Sequence, residues 1–212
     1  MRGRNGKRLK RFAGGMAFFL LGGTAAATLS LASRPQQSAI AATRPAAPHS
    51  ADRIPVSDLD LQRAFAAGLV DRPIKSVLNV PEPMRYGDFR WDERGVPAGR
   101  SWIRVDLKSQ LISVFRSGHE IGTAVILYGA DSVPTPTGKF PILAKMKDHR
   151  SATYDAPMPY TLRLTADGVS IHASDVRWGF ATHGCIGVPR AFAAKLFAAA
   201  SVGDEVIIVD RG

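Results

Sequence analysis

The chain has one cysteine, Cys185, and two of its five histidines, His172 and His183, stand shortly before it. A thiol with a histidine nearby is the residue pair expected of a nucleophile and its base. The local order is Ile171-His172, a loop, then Thr182-His183-Gly184-Cys185-Ile186. Val169 and Ile171 alternate with Ser170 and His172, which predicts a short strand ending at His172. Gly184 next to the thiol permits a tight turn with positive φ. Pro189 then suits the first turn of a helix. His172 is the candidate base and His183 its rival, because His183 shares the cysteine's own turn. An imidazolium beside the sulfur would favour thiolate, and the N–H groups of Gly184 and Cys185 can receive an oxyanion. A zinc site drawn from His172, His183 and Cys185 lacks a fourth ligand and the usual cysteine-pair spacing.

The elements that must position these residues are mostly strands. Ile103, Val105 and Leu107 alternate with charged residues, and the stretch Leu111 to Phe115 follows. Ser117-Gly118 marks a hairpin turn before Ile121 to Leu127. Pro134 to Gly138 interrupts the pattern and Phe140 to Leu143 resumes it. Tyr160, Leu162 and Leu164 alternate before a turn at Ala166-Asp167-Gly168. One helix is predicted over Pro189 to Ala200, and a last strand over Val206 to Val209. Short strands with Gly/Pro turns and one C-terminal helix predict a mainly β protein, a twisted β-sandwich or open barrel.

Ile171-His172 followed by Thr182-His183-Gly184-Cys185-Ile186 resembles the signature of the L,D-transpeptidase catalytic-domain (YkuD-type) family. Thr135-Pro-Thr-Gly-Lys-Phe140 and Met158-Pro-Tyr160 resemble further family segments. The likeness runs from about Trp102 to Val209. Two departures stand out: a short loop between His172 and His183, and Gly187 where Arg or Asn is common. The resemblance implies a β-sandwich and a thioester route. Cys185 attacks a peptidoglycan tetrapeptide stem ahead of its terminal D-residue, and a second stem's amine takes the acyl group. It implies His172 as base, held by the carbonyl of Ala173, and Tyr160 as a further hydroxyl at the oxyanion site. Arg177 and Arg190 are candidates for a stem carboxylate in place of the absent residue at 187. No cofactor or metal is implied. Water as acceptor would make the enzyme an L,D-carboxypeptidase, and a lysine acceptor would attach a lipoprotein to the wall. A non-catalytic wall-binding module or a structural envelope protein would not need the His/Cys pair.

The net charge of +10 is concentrated at the amino terminus. Seven basic and no acidic side chains fall in residues 1–42, leaving 21 basic against 18 acidic in the remainder. No basic stripe interleaved with aromatics follows, so nucleic acid is not an expected partner. Phe12 to Ala32 is an uncharged, mostly apolar run of 21 residues behind six cations. It is long enough to cross a bilayer, with the amino terminus left in the cytoplasm and the remainder exported. Its length favours an uncleaved anchor in the inner membrane. A signal peptide cleaved after Ala39-Ile40-Ala41 is the alternative. The expected organisation is an arm and anchor (1–32), a flexible linker (33–55), a pre-domain helix and irregular segment (56–100), and the catalytic domain (101–210). In the pre-domain segment Ser57 caps a helix carrying Leu61, Ala64 and Phe65, which Gly68 closes. His49, His119 and His149 read as surface histidines. Trp178 and Phe180 either line the cleft or cover the core.

Overall fold

The computed structural model describes residues 52–210. The basic arm, the apolar run and residues 33–51 of the expected linker lie outside them. In chain order the elements are β1 (Arg53–Pro55), α1 (Asp58–Ala66), β2 (Ser76–Leu78), β3 (Phe89–Trp91) and β4 (Ser101–Asp106). Then come β5 (Leu111–Arg116), β6 (His119–Val125), β7 (Gly138–Pro141), β8 (Ala144–Met146) and β9 (Thr161–Arg163). The last four are β10 (Ser170–Ser174), β11 (Ile186–Pro189), α2 (Arg190–Ala199) and β12 (Glu205–Val209). No helix of the described residues is long and apolar enough to cross a membrane.

Two open sheets form. The first has the order β1-β2-β6-β5-β4-β12-β7, with β3 also paired to β6. The second has the order β11-β10-β9-β8. The alternating apolar residues of β4, β5 and β12 explain the first sheet. Ile103, Val105, Ile112, Val114, Val206 and Ile208 point one way into a common core and are almost fully buried. Leu162, Ile171, Ile186 and Val188 reach the same core from the second sheet. Helix α2 packs against strands of both sheets through Phe192 and Leu196. Ser117 and Gly118, with φ of 52° and 85°, make the β5–β6 hairpin turn; two consecutive positive values match the twist of antiparallel strands.

The segment before residue 101 differs from its reading as linker and irregular pre-domain. β1, β2 and β3 join the first sheet, and β3 pairs with β6 through Phe89↔Ala124 and Trp91↔Gly122. Arg53, expected in the linker, is buried and donates to the carbonyls of Glu120 and Asp92. Helix α1 starts where Ser57 accepts from the Asp60 N–H, and its Leu61 packs onto Ile74, Trp102, Phe115 and Ile207 on the sheet's other face. Three-residue strands carry too little periodicity to be read from sequence; pairing with β6 decides β2 and β3, and β1 follows by pairing with β2. His119 is likewise no surface residue. It opens β6, is buried, and its Nδ1 lies 2.8 Å from the Ser76 hydroxyl.

Candidate active site

β10 and β11 run parallel and adjacent, with Ile171 opposite Ile186 and His172 opposite Gly187. Side chains alternate across a strand. Ile171, Ala173, Ile186 and Val188 therefore enter the core, while His172 and Ser174 take the opposite, half-buried face. Cys185 immediately precedes β11 and has the parity of that face. β10 runs two residues past the expected end at His172, and β11 replaces the start of the expected helix, with α2 beginning at Arg190. The turn carrying Cys185 is tied at several points. The Thr182 hydroxyl donates to the Cys185 carbonyl, and the Thr182 N–H donates to the Tyr128 carbonyl at 2.9 Å. Gly184 has φ of +90°, a conformation that side chains rarely adopt. Among the described residues the N–H groups of Gly184 and Cys185 form no hydrogen bond.

The His172 Nδ1–H donates to the Ala173 carbonyl at 2.9 Å. A carbonyl only accepts, so in the neutral ring the hydrogen sits on Nδ1 and Nε2 carries the lone pair. Burial holds this imidazole below its ordinary pKa range; the bond to Ala173 works against that, and nearby His149 adds to it. Burial pushes the Cys185 thiol up, opposed by the Ser170 N–H and reinforced by Asp167. Both effects favour uncharged forms. Burial thus works against the thiolate–imidazolium pair that the sequence suggested. His172 and Cys185 share a cavity of about 650 Å³, whose rim includes His183, Tyr154, Met158 and Arg190.

This constellation has a counterpart among known proteins: residues 100–208 match the model of the YkuD family, described as the L,D-transpeptidase catalytic domain. The chain belongs to this family. A solved L,D-transpeptidase from Stackebrandtia nassauensis is 23% identical with a TM-score of 0.50, covering 54% of this chain and 58% of that one. One from Enterococcus faecium, a point mutant, is 26% identical with a TM-score of 0.48, covering 52% and 50%. One from Mycobacterium tuberculosis H37Rv is 22% identical with a TM-score of 0.48, covering 52% and 57%. The chain thus spans about half to three-fifths of the length of these structures. No curated protein matches it.

Within the L,D-transpeptidase domain the other expected residues separate. His183 lines the cavity with its ring stacked on Tyr154, centroids 4.4 Å apart. Arg190 stands at the rim, its guanidinium 5.8 Å from the Tyr160 ring centroid. Tyr160 does not line the cavity; it packs edge-on against Phe197 beside the core. Arg177 is turned to Asp175, donating from Nε at 2.8 Å. Gly187 has no room for a larger residue, because a Cβ there would lie 2.8 Å from the Ser174 Cβ and 3.4 Å from that of Leu127. Ser174 thus stands against the place where a side chain at 187 would begin. Sequence reading missed Tyr154, named Met158 only as part of a family segment, and set His149 aside as surface. A second cavity of about 620 Å³, on the Gly168–Ser170 side, is lined by His149, Tyr154, Met158, His183 and Cys185. His149, Tyr154 and Met158 all lie between β8 and β9, where no periodicity links them to the thiol.

Proposed function

We propose that this chain is a cysteine-dependent peptidoglycan L,D-transpeptidase. The observation that carries the reading is the shared cavity of Cys185 and His172, with Nδ1 of the histidine committed to Ala173 and Nε2 left as the basic atom. Cys185 attacks the carbonyl between the third residue, a diamino acid, and the terminal D-residue of a tetrapeptide stem. As the carbon–sulfur bond forms, the thiol proton passes to His172 Nε2. The oxyanion takes hydrogen bonds from the Gly184 and Cys185 N–H groups, which have no other acceptor among the described residues. The C–N bond breaks, His172 returns the proton to the leaving amine, and D-alanine departs from a thioester. The amine of a second stem attacks this thioester, gives up its proton through His172, and releases the thiol. A pair that burial biases towards its uncharged forms suits this cycle, since the base is needed only as the sulfur attacks.

His183 is a positioning residue on this reading, because stacking on Tyr154 fixes its ring beside the thiol. Arg190 is available at the rim for a stem carboxylate. The substrate lies in the cell wall, so the cationic arm and apolar run at residues 1–32 are read as an export and anchoring segment. Incubating the purified full chain with a tetrapeptide-stem fragment, and weighing the products, tests the proposal. Loss of one D-alanine with formation of a cross-linked dimer is expected, and Cys185→Ser should form neither acyl-enzyme nor product. A tripeptide without dimer would make the enzyme a carboxypeptidase. Undiminished turnover in Cys185→Ser would overturn the cysteine mechanism.

A further inference from the structure

The loop between the two active-site strands carries an aromatic pair that the acyl-transfer mechanism does not use. Trp178 is 81% exposed and Phe180 61% exposed, so neither covers the core. Trp178 occupies the tip of a tight turn in which the Phe180 N–H donates to the Arg177 carbonyl at 3.3 Å. Gly179, with φ of +80°, follows it, as a type II turn requires at the third position. A Cβ at Gly179 would meet nothing within 4 Å, so backbone conformation alone calls for glycine there. The turn holds a large apolar ring out in water. That ring is nevertheless braced. Tyr86 meets it edge-on, with centroids 5.7 Å apart at 71°, and the Tyr86 hydroxyl donates to Gln110 Oε1 at 2.6 Å.

The neighbourhood indicates what the ring meets. On one side Asp175, Val176 and Gly87 line the Cys185 cavity. On the other, Tyr86 lines a separate cavity of about 660 Å³ whose walls include Gln110, Ser113, Glu120 and Thr123. The platform stands between the cavity that holds Cys185 and one whose mostly apolar wall, with Pro81, Pro83, Met84 and Leu111, also carries Ser109 and Gln110. A charged pair, Asp175 and Arg177, flanks it in the open. A bilayer would have to bury that pair. A pyranose ring has apolar C–H faces to lay on an indole and hydroxyl or acetamido edges for polar groups. In peptidoglycan the stem is covalently attached to such a ring, so a stem in the Cys185 cavity brings a sugar within reach.

We infer that Trp178, braced by Tyr86, is a stacking platform for the amino sugar that carries the stem peptide, so that the site binds a glycopeptide and not the peptide alone. The inference rests on the acyl-transfer reading of Cys185. The test compares two donors on the full chain: the free tetrapeptide, and the tetrapeptide attached to its N-acetylated disaccharide. Wild type is expected to have the lower KM for the disaccharide form. Trp178→Ala should raise that KM about tenfold, with kcat and the KM for free tetrapeptide unchanged. Trp178→Tyr should restore much of the difference. An unchanged melting temperature shows that Trp178→Ala is folded. Equal KM values for the two donors in wild type, or an equal change for both in Trp178→Ala, would overturn the inference and leave the cysteine chemistry standing. Turnover of neither donor would overturn the acyl-transfer reading itself. Loss of sedimentation with anionic phospholipid vesicles in Trp178→Ala, with both KM values unchanged, would overturn it in favour of a membrane contact.

Discussion

The two sheets share one core and use their outer faces differently. In the first sheet β6 is buried along its whole length, with the common core on one face and the segment before residue 101 reaching over the other. In the second sheet β10 alternates buried Ile171 and Ala173 with half-buried His172 and Ser174. A strand covered on both sides cannot offer a reactive group to a polymer. One anchored by a single face can do so while the other face stays within reach of substrate. Stability and chemistry are thereby assigned to opposite sides of one strand, β10, while its neighbour β11 is buried throughout. The thiol sits not in the sheet but in a turn held by the Thr182 hydroxyl and by backbone bonds from Thr182 to Tyr128 and Ala130.

That separation can be broken most strongly at the base. His172→Ala is expected to slow acylation by about three orders of magnitude, within the range of general base catalysis, with little change in melting temperature. Single-turnover acylation by a tetrapeptide measures it. In wild type the acid limb of this rate should fall below the ordinary imidazole pKa of about 6.5, because burial disfavours the charged ring. As pH rises through the lowered pKa, Nε2 becomes free and the rate climbs. A limb above that range, or one retained in His172→Ala, would point to another base. His183 is the first to examine, since its removal is expected to cost less and to act by releasing Tyr154.

The shared core supplies the opposite experiment. Phe192 is fully buried and meets Trp91 and Phe89 edge-on at 5.4 and 6.0 Å. Phe192→Ala should cost about 3–5 kcal/mol in denaturant unfolding. Because α2 touches both sheets, they should still unfold in one transition. Two separated transitions would show that the sheets are not one cooperative unit.

Gly184→Ala sharpens the contrast at the turn. The nearest atom to an added Cβ would be the Pro134 carbonyl oxygen, 3.5 Å away, so the cost is backbone strain and not collision. About 1–2 kcal/mol of stability should be lost. Turnover should fall further than stability if the turn relaxes and carries the N–H of residue 184 away from the oxyanion. Activity matching wild type would mean that those N–H groups do not act.

The smallest effect lies far from the thiol. Asp71 accepts from Arg72 Nε at 2.9 Å and from Lys139 Nζ at 2.6 Å, linking the segment after α1 to β7. The Arg72 hydrogen bond foremost, helped by Lys139, lowers its pKa to about 2. A carboxyl depressed in the folded state adds stability above its unfolded pKa of about 3.9, and that stability disappears as pH falls towards about 2. Asp71→Asn should flatten the pH dependence of stability in that window alone, as thermal melts at several acidic pH values would record. Acyl transfer at neutral pH should not change.

Much of the candidate site was legible before any fold. A single cysteine after Thr182-His183-Gly184 and a histidine on an alternating strand are local patterns, and chemistry limits which residue types can serve as nucleophile and base. The central strands were legible for the same reason, since period-two alternation is written in consecutive residues such as Ile103, Val105 and Leu107. Other features depended on partners distant in sequence. β1, β2 and β3 are three residues each and exist because partners distant in sequence lie beside them: β2 and β3 pair with β6, and β1 with β2. The buried state of His119 depends on Ser76, and the coupling of His183 to Tyr154 crosses a loop. Tyr160, matched by motif to the oxyanion site, was drawn instead to Phe197. Even the direction in which the His172 and Cys185 pKa values move was undecided by residue type, because it follows from burial, and burial belongs to the packed molecule. By itself the sequence determined which groups can react and which strands alternate. Tertiary structure decided which faces are covered, because covering requires surfaces that only folding brings together.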